Sequence, residues 1–214
     1  LAHRRQRQMC IRDRYCLSPV VARDYRALEE RLGLTPSDTR TVGSSIDLDQ
    51  FRSLPESEKK HDVVFLGRLH ELKGVFDLPE VWAQVKTARP ASTLKVIGEG
   101  PHRTAVMDRF AARNLMDGVE FTGGIGEEDK NRLLAEARLG LSLSSEEGWG
   151  LAVNEYLASE LPVVAYDLPV FQEVFPDVLH SVSLGDKTAA SRAILELLAD
   201  PVAREAMGRQ GREL

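Results

Sequence analysis

No apolar run in these 214 residues approaches the ~18–20 that a membrane-spanning helix needs. No signal-peptide pattern opens the chain. Cysteine is scarce: Cys10 and Cys16 sit near the start with neither metal nor disulfide spacing. A reduced, cytoplasmic setting is the simplest expectation. His61, His70, His102 and His180 are scattered, without the spacing of metal ligands. Basic residues are outnumbered, 28 against 33 acidic, for a net charge of −5, which argues against a general nucleic-acid binder. No GxGxxG fingerprint occurs, so a nicotinamide-binding domain loses its main support. Internal repeats and low-complexity tracts are absent as well.

The charge is unevenly placed. Residues 1–14 carry five Arg against one Asp, and the remainder holds 23 basic and 32 acidic residues, a balance of −9. Met9-Cys10-Ile11-Arg12-Asp13-Arg14 reads as the translation of a transposon-end sequencing adapter rather than as a basic arm. Residues 1–14 are therefore excluded from fold reasoning.

Ser18-Pro19 is a helix start, with Ser as cap and Pro at the first helical position. Val21, Tyr25, Leu28 and Leu32 follow at helical spacing, and Gly33 supplies the stop. Thr35–Gly43 is turn-rich, Pro55–Asp62 is a charged linker, and a domain boundary falls between about 52 and 60. Strand-like and helical segments then alternate. Strands are expected at Val63–Leu66, Leu94–Ile97, Val119–Phe121, Leu139–Leu143 and Val163–Tyr166. Helices are expected at Pro79–Ala88, Pro101–Arg113, Glu127–Ala137, Leu151–Ser159, Lys187–Ala199 and Pro201–Arg212. Val81, Trp82 and Val85 should face inward, as should Ile194, Leu197 and Leu198, and Val202 with Met207. Such alternation means an α/β protein: a Rossmann-like open parallel sheet with helices on both faces. Ligands of such sheets bind at the C-terminal ends of the strands.

Four post-strand loops carry the chemistry. The first, Gly67-Arg68-Leu69-His70-Glu71-Leu72-Lys73-Gly74, sets two cations five apart around a glycine. Arg grips phosphate bidentately and Lys acts as a point charge, although a solvated surface pair explains the spacing too. The second, Gly98-Glu99-Gly100-Pro101, permits close backbone approach to a ligand or is a tight turn. The third, Phe121-Thr122-Gly123-Gly124-Ile125-Gly126, could contact a flat base or be merely flexible. The fourth, Ser144-Ser145-Glu146-Glu147-Gly148-Trp149-Gly150, runs into a helix whose unpaired N–H groups favour an anion. Trp149 either closes over a ligand or packs beneath its loop. Ionised Glu147 and Glu155 accept from vicinal diols. The competing readings make Glu155 a stabiliser of its own helix start and Glu147 a solvated carboxylate.

Gly67-Arg68-Leu69…Lys73-Gly74, Gly98-Glu99-Gly100-Pro101, Phe121-Thr122-Gly123 and Glu147-Gly148-Trp149-Gly150-Leu151…Glu155 occur in the order and spacing of the family 4 glycosyltransferases. The chain resembles that family, retaining enzymes of the GT-B fold, over roughly residues 15–214. The weightiest part is the E-x7-E motif followed by Leu161-Pro162-Val163-Val164-Ala165. The resemblance implies two Rossmann-like domains, the first taking an acceptor and the second a nucleoside-diphosphate sugar. Residues 15–55 would be the tail of the acceptor domain and the linker, and residues 56–214 the donor-binding domain, truncated at its C-terminus. Arg68 and Lys73 would contact the diphosphate, Glu147 the transferred sugar and Glu155 the ribose. Arg68, Lys73 and Glu147 are the expected catalytic set. Gly67, Gly98, Glu99 and Gly100 would line the donor site. Backbone amides around Gly148, Trp149, Gly150 and Leu151 would meet sugar and phosphate. The base would lie near Phe121, Thr122 and Gly123. The resemblance implies no metal and no cofactor beyond the nucleotide-sugar co-substrate. The partner would be a saccharide or lipid-linked acceptor on the missing domain, with peripheral association at the inner face of the membrane left open.

The sequence departs from that family in places. Ser44-Ser45 precede Ile46-Asp47 where Asn-Gly is usual, and Tyr166-Asp167-Leu168-Pro169-Val170-Phe171 stands where many members carry a Gly-rich loop. The expectation is a fragment that binds donor but turns over no acceptor. A sugar-nucleotide epimerase or phosphorylase on the same fold, or a non-catalytic interaction module, are the alternatives.

Overall fold

Ser18 and Pro19 start the first helix as their chemistry requires: the Ser18 hydroxyl accepts from the Val21 N–H at 3.3 Å, and Pro19 has no N–H to leave unpaired. The structure, a computed structural model, describes residues 13–214. Residues 1–12, with Cys10 and most of the adapter-like run, lie outside the described residues. The helix, α1 (Pro19–Arg31), connects two short parallel strands, β1 (Asp13–Cys16) and β2 (Asp38–Thr41). β2 is a correction, because Thr35–Gly43 reads as turn. Asp38-Thr39-Arg40-Thr41 buries only Thr39, so it has no apolar signature. The helical stripe on α1 also stays outside the core, with Tyr25, Leu28 and Leu32 exposed. Ala22 and Glu29 are buried instead, and Glu29 accepts from the Ser37 N–H and hydroxyl.

The main sheet contains β3 (His61–Leu66), β4 (Leu94–Ile97), β5 (Val119–Gly123), β6 (Ala137–Ser142), β7 (Val163–Tyr166) and β8 (His180–Val182). Their order is β5-β4-β3-β6-β7-β8, all parallel. The chain winds outward from β3 in one direction and returns to β6 to wind in the other. The boundary between β3 and β6 is therefore the topological switch point, where open α/β sheets form a ligand crevice.

Side chains alternate across these strands, so each strand feeds two cores. Val63 and Phe65 enter one, with Leu139, Leu141, Val164 and Tyr166. It is covered by α2 (Leu78–Ala88), α3 (Arg103–Ala111) and α7 (Lys187–Ala199). Val81, Trp82, Val85, Ile194, Leu197 and Leu198 face inward as expected. Val64, Val163 and Ala165 enter the other core, under α4 (Glu127–Ala135), α5 (Leu151–Ala158) and α6 (Pro169–Val174). The last helix, α8 (Pro201–Arg212), packs beside α5 and α7.

Several boundaries differ from the sequence reading. α3 begins at Arg103, two residues beyond Pro101, and α4 ends at Ala135, so that Ala137 opens β6. α6 and β8 have no counterpart in the expectation. Val202 is 77% exposed, and α8 buries Arg204, Gly208 and Gly211 instead. Arg204 is held by the Leu197 carbonyl at 2.6 Å and by Glu56 at 2.8 Å.

Tyr156 locks the switch point from beneath. Its hydroxyl accepts from the Leu66 N–H at 2.5 Å and donates to the Leu141 carbonyl at 3.3 Å, tying the ends of β3 and β6. Burial pushes its phenol far above the ordinary tyrosine value, so it stays a neutral donor.

Candidate functional site

The four loops singled out in the sequence all leave the C-terminal edge of the sheet, and backbone bonds knit them together. Gly67 N–H donates to the Ile97 carbonyl at 3.0 Å and Gly98 N–H to Gly123 at 3.0 Å. Leu69 N–H donates to Glu99 at 2.8 Å, and Ser145 N–H to Leu72 at 2.9 Å. This packing explains the glycines. Gly98 has φ +134°, and a Cβ there would lie 2.1 Å from the Gly67 carbonyl oxygen. Gly74 has φ +66°, and a Cβ would lie 1.9 Å from the Leu143 carbonyl oxygen. Both residues let one loop backbone rest directly on another.

That contact delivers Lys73 to Glu147. Lys73 ends a single 3-10 turn over Glu71–Lys73, capped by the His70 ring, whose Nδ1 accepts from the Leu72 N–H at 3.3 Å. Lys73 Nζ lies 2.6 Å from Glu147 Oε1. The buried Ser144 hydroxyl donates to the same oxygen at 2.7 Å. Glu147 is thus held on one oxygen by two donors and keeps 12% of its side chain exposed. Arg68 is exposed at the same edge and has no ion-pair partner among the described residues.

Gly148, Trp149 and Gly150 lead into α5. Gly150 is its N-cap, no side chain caps the helix, and no acidic residue occupies its first turn. The first-turn N–H groups and the helix dipole are left for an anion, and Leu151, at the first helical position, is exposed. Trp149 packs beneath the loop, against the second core and close to Gly43.

Glu155 does not stabilise its own helix start. Its Oε1 lies 2.6 Å from Nζ of Lys130, in α4. Lys130 is only 7% exposed and also pairs with Glu127. Burial pushes the Lys130 ammonium down, but its bonds to Glu127 and Glu155 outweigh that, and its pKa lies above the ordinary lysine value. The sequence reading missed Lys130. Its only local signal is the Glu127–Lys130 spacing of a surface pair.

The third expected loop is partly a correction: pairing with β4 carries β5 on through Phe121, Thr122 and Gly123, so these three are the end of a strand and the loop proper is 124–126. Phe121 stacks edge-on against Phe110 with ring centroids 5.6 Å apart. Thr122 donates to the Gly123 carbonyl at 3.1 Å. Glu99 is exposed, 3.6 Å from Arg103, and a Cβ added at Gly123 would lie 2.6 Å from its Oε1. Gly67, Gly98 and Gly100 line the edge beside it. The structure therefore brings Lys73 to Glu147 in the loop that leads into α5, and separately Glu155 to Lys130, while Arg68 stands exposed in the loop after β3.

Among the described residues, cavities also lie away from this edge. One of about 370 Å³, lined by Glu56, Lys59, Arg138 and Arg204, sits near the N-terminal edge of the sheet. One of about 590 Å³ separates Asp49–Arg52 from α4, and one of about 290 Å³ lies between Ser44–Ile46, Trp149 and Arg212. Among the described residues, no group of three or more His, Cys, Asp or Glu could hold a metal, and no helix is long and apolar enough to cross a membrane.

The family model described as glycosyl transferases group 1 matches residues 47–214. The chain is 30% identical over 145 residues to a phosphatidyl-myo-inositol mannosyltransferase of Propionibacterium freudenreichii subsp. shermanii, covering 65% of this chain and 35% of that protein. It superposes with a TM-score of 0.79, at 21% identity, on an S. aureus TarM mutant in complex with fondaparinux, alpha-GlcNAc-glycerol and UDP. That match covers 93% of this chain and 39% of TarM. The C-terminal domain of the group 1 protein LpcC from Francisella tularensis matches with a TM-score of 0.69 at 18% identity, over 79% of this chain and 95% of that domain. The chain thus spans about a third of the curated relative's length and nearly the whole of an isolated C-terminal domain.

Proposed function

The chain belongs to the group 1 glycosyl transferases, matched over residues 47–214, and on that premise we propose that its C-terminal sheet edge binds a nucleoside-diphosphate sugar. Arg68, Lys73 and the start of α5 take the diphosphate. Glu147 takes the hydroxyls of the transferred sugar, Glu155 the ribose, and the backbone from Phe121 to Gly123 the base. The sugar passes to a saccharide or lipid-linked acceptor with retention of anomeric configuration. The acceptor is held by a separate domain of the whole protein, so the 214-residue chain binds donor without turning over acceptor. That domain is also the part that would meet a membrane surface.

The observation that carries this reading is the Lys73–Glu147 contact across the switch point. It puts a phosphate-seeking cation and a hydroxyl-seeking carboxylate side by side, in front of an uncapped helix. A sugar diphosphate presents those two chemistries in that order. Arg68 and Lys73 supply the positive charge that a leaving diphosphate needs, the role a divalent metal would otherwise fill. Neither a metal nor a further cofactor is required.

The test is a melting-temperature panel of UDP-, GDP- and ADP-sugars on the chain. A ligand at 100 times its Kd stabilises by about 2.7 kcal/mol, and a chain of this size should then melt roughly 5–10 °C higher. At least one nucleotide sugar should produce that shift. No shift from any of them would leave the family's fold without its donor chemistry in this chain.

A further inference from the structure

We infer that Lys130 is a positioning residue for the donor site: it holds one oxygen of Glu155 so that the other faces the ribose diol of a bound nucleotide. This rests on the donor-site reading above and assigns a role to a side chain which that reading does not use. Lys130 stands on α4, beyond β5, whereas Glu155 stands on α5, beyond β6. Lysines are almost never buried at 7% exposure unless paired. A surface pair with Glu127, three residues earlier, would not require burial. The ammonium is drawn in because it reaches Glu155 Oε1 at 2.6 Å, and its cation also lies 5.9 Å from the Phe51 ring centroid.

The alternative is a plain staple between α4 and α5. Three details favour positioning. Glu155 retains 20% side-chain exposure. Only its Oε1 is engaged, and Oε2 accepts no hydrogen bond from the described residues. Lysine is also a point charge that can satisfy one carboxylate oxygen and leave the other free, where an arginine fork would claim both. Glu147 is held in the same way, on Oε1 alone, by Lys73 and Ser144.

The experiment compares UDP, GDP and ADP with their 2′,3′-dideoxy counterparts by calorimetry on the 214-residue chain, and on Lys130→Met and Lys130→Gln. For the wild-type chain, removing the diol should weaken binding of the preferred diphosphate about tenfold or more. In either variant that penalty should fall to within about threefold, while affinity for inorganic pyrophosphate is unchanged. A staple would lower the melting temperature and leave the diol penalty intact, and that result overturns the inference. Lys130→Gln keeps a polar group and is read if Lys130→Met does not fold. Wild-type binding without any diol penalty would remove Glu155 from the ribose and overturn the inference, leaving the phosphate side standing. Failure of every diphosphate to bind the wild-type chain would instead remove the donor-site reading itself.

Discussion

Lys73 and Glu147 meet at 2.6 Å although 74 residues separate them, because the loops after β3 and β6 touch where the sheet reverses direction. Gly74 sets that contact: its backbone lies against the Leu143 carbonyl, one residue from each partner's turn. The pair is partly buried, with 32% and 12% of the two side chains exposed, so its charges are less screened than those of an open surface pair.

Glu147→Gln keeps the acceptor for Ser144 and removes the carboxylate from the sugar. Nucleoside diphosphate should bind as before. The added affinity of the nucleotide sugar over the bare diphosphate should fall by about 1.5–3 kcal/mol, the value of hydrogen bonds to a charged group. Calorimetry with both ligands checks this, and an unchanged sugar increment would take Glu147 out of the sugar site.

Gly74→Ala should be costly despite its single methyl. The residue sits at φ +66°, where an L side chain costs about 1–2 kcal/mol, and the new Cβ would press on the Leu143 oxygen at 1.9 Å. Urea denaturation should show a loss of more than ~2 kcal/mol. A near-neutral result would mean the two loops are not in contact as described.

Trp82→Ala should cost about 3–5 kcal/mol by denaturation, since a fully buried indole leaves a cavity among Val81, Val85 and α7. Nucleotide affinity of the folded variant should not change, because Trp82 lies in the core and not at the loop edge.

Lys59 gives the pH dependence. Burial pushes it down to about 8 from its ordinary value of 10.5, with Glu56 and Glu160 opposing. At neutral pH both states carry its proton, and folding opposes the charge. Between about 8 and 10.5 the unfolded chain keeps the proton while the folded one has lost it, so this group's contribution to stability rises with pH. The urea midpoint of the wild type should gain on that of Lys59→Gln between about pH 7.5 and pH 9.5. A constant difference would show that Lys59 titrates normally.

The strands at β3, β4, β6 and β7 were legible because each is a short apolar run buried on both faces. β8 was not, since His180-Ser181-Val182 is only half-buried at the sheet edge. α6 has six residues with Val170 and Phe171 alone buried, too few to display a helical period. α8 inverted the rule: Val202 points outward and Arg204 inward, because Glu56 and the Leu197 carbonyl satisfy the guanidinium. Arg68, Lys73 and Glu147 could be picked out by spacing within their loops. Lys130 could not, because its partner Glu155 is 25 residues away and the contact exists only once α4 and α5 are packed.

The most direct test is calorimetric titration of the chain with UDP, GDP and ADP, repeated on Arg68→Ala/Lys73→Ala. The wild type should bind at least one of them, and the double variant should fold and lose at least about tenfold in affinity for it. Equal binding by the two proteins, or none by the wild type, would contradict the claim that this sheet edge is a diphosphate site.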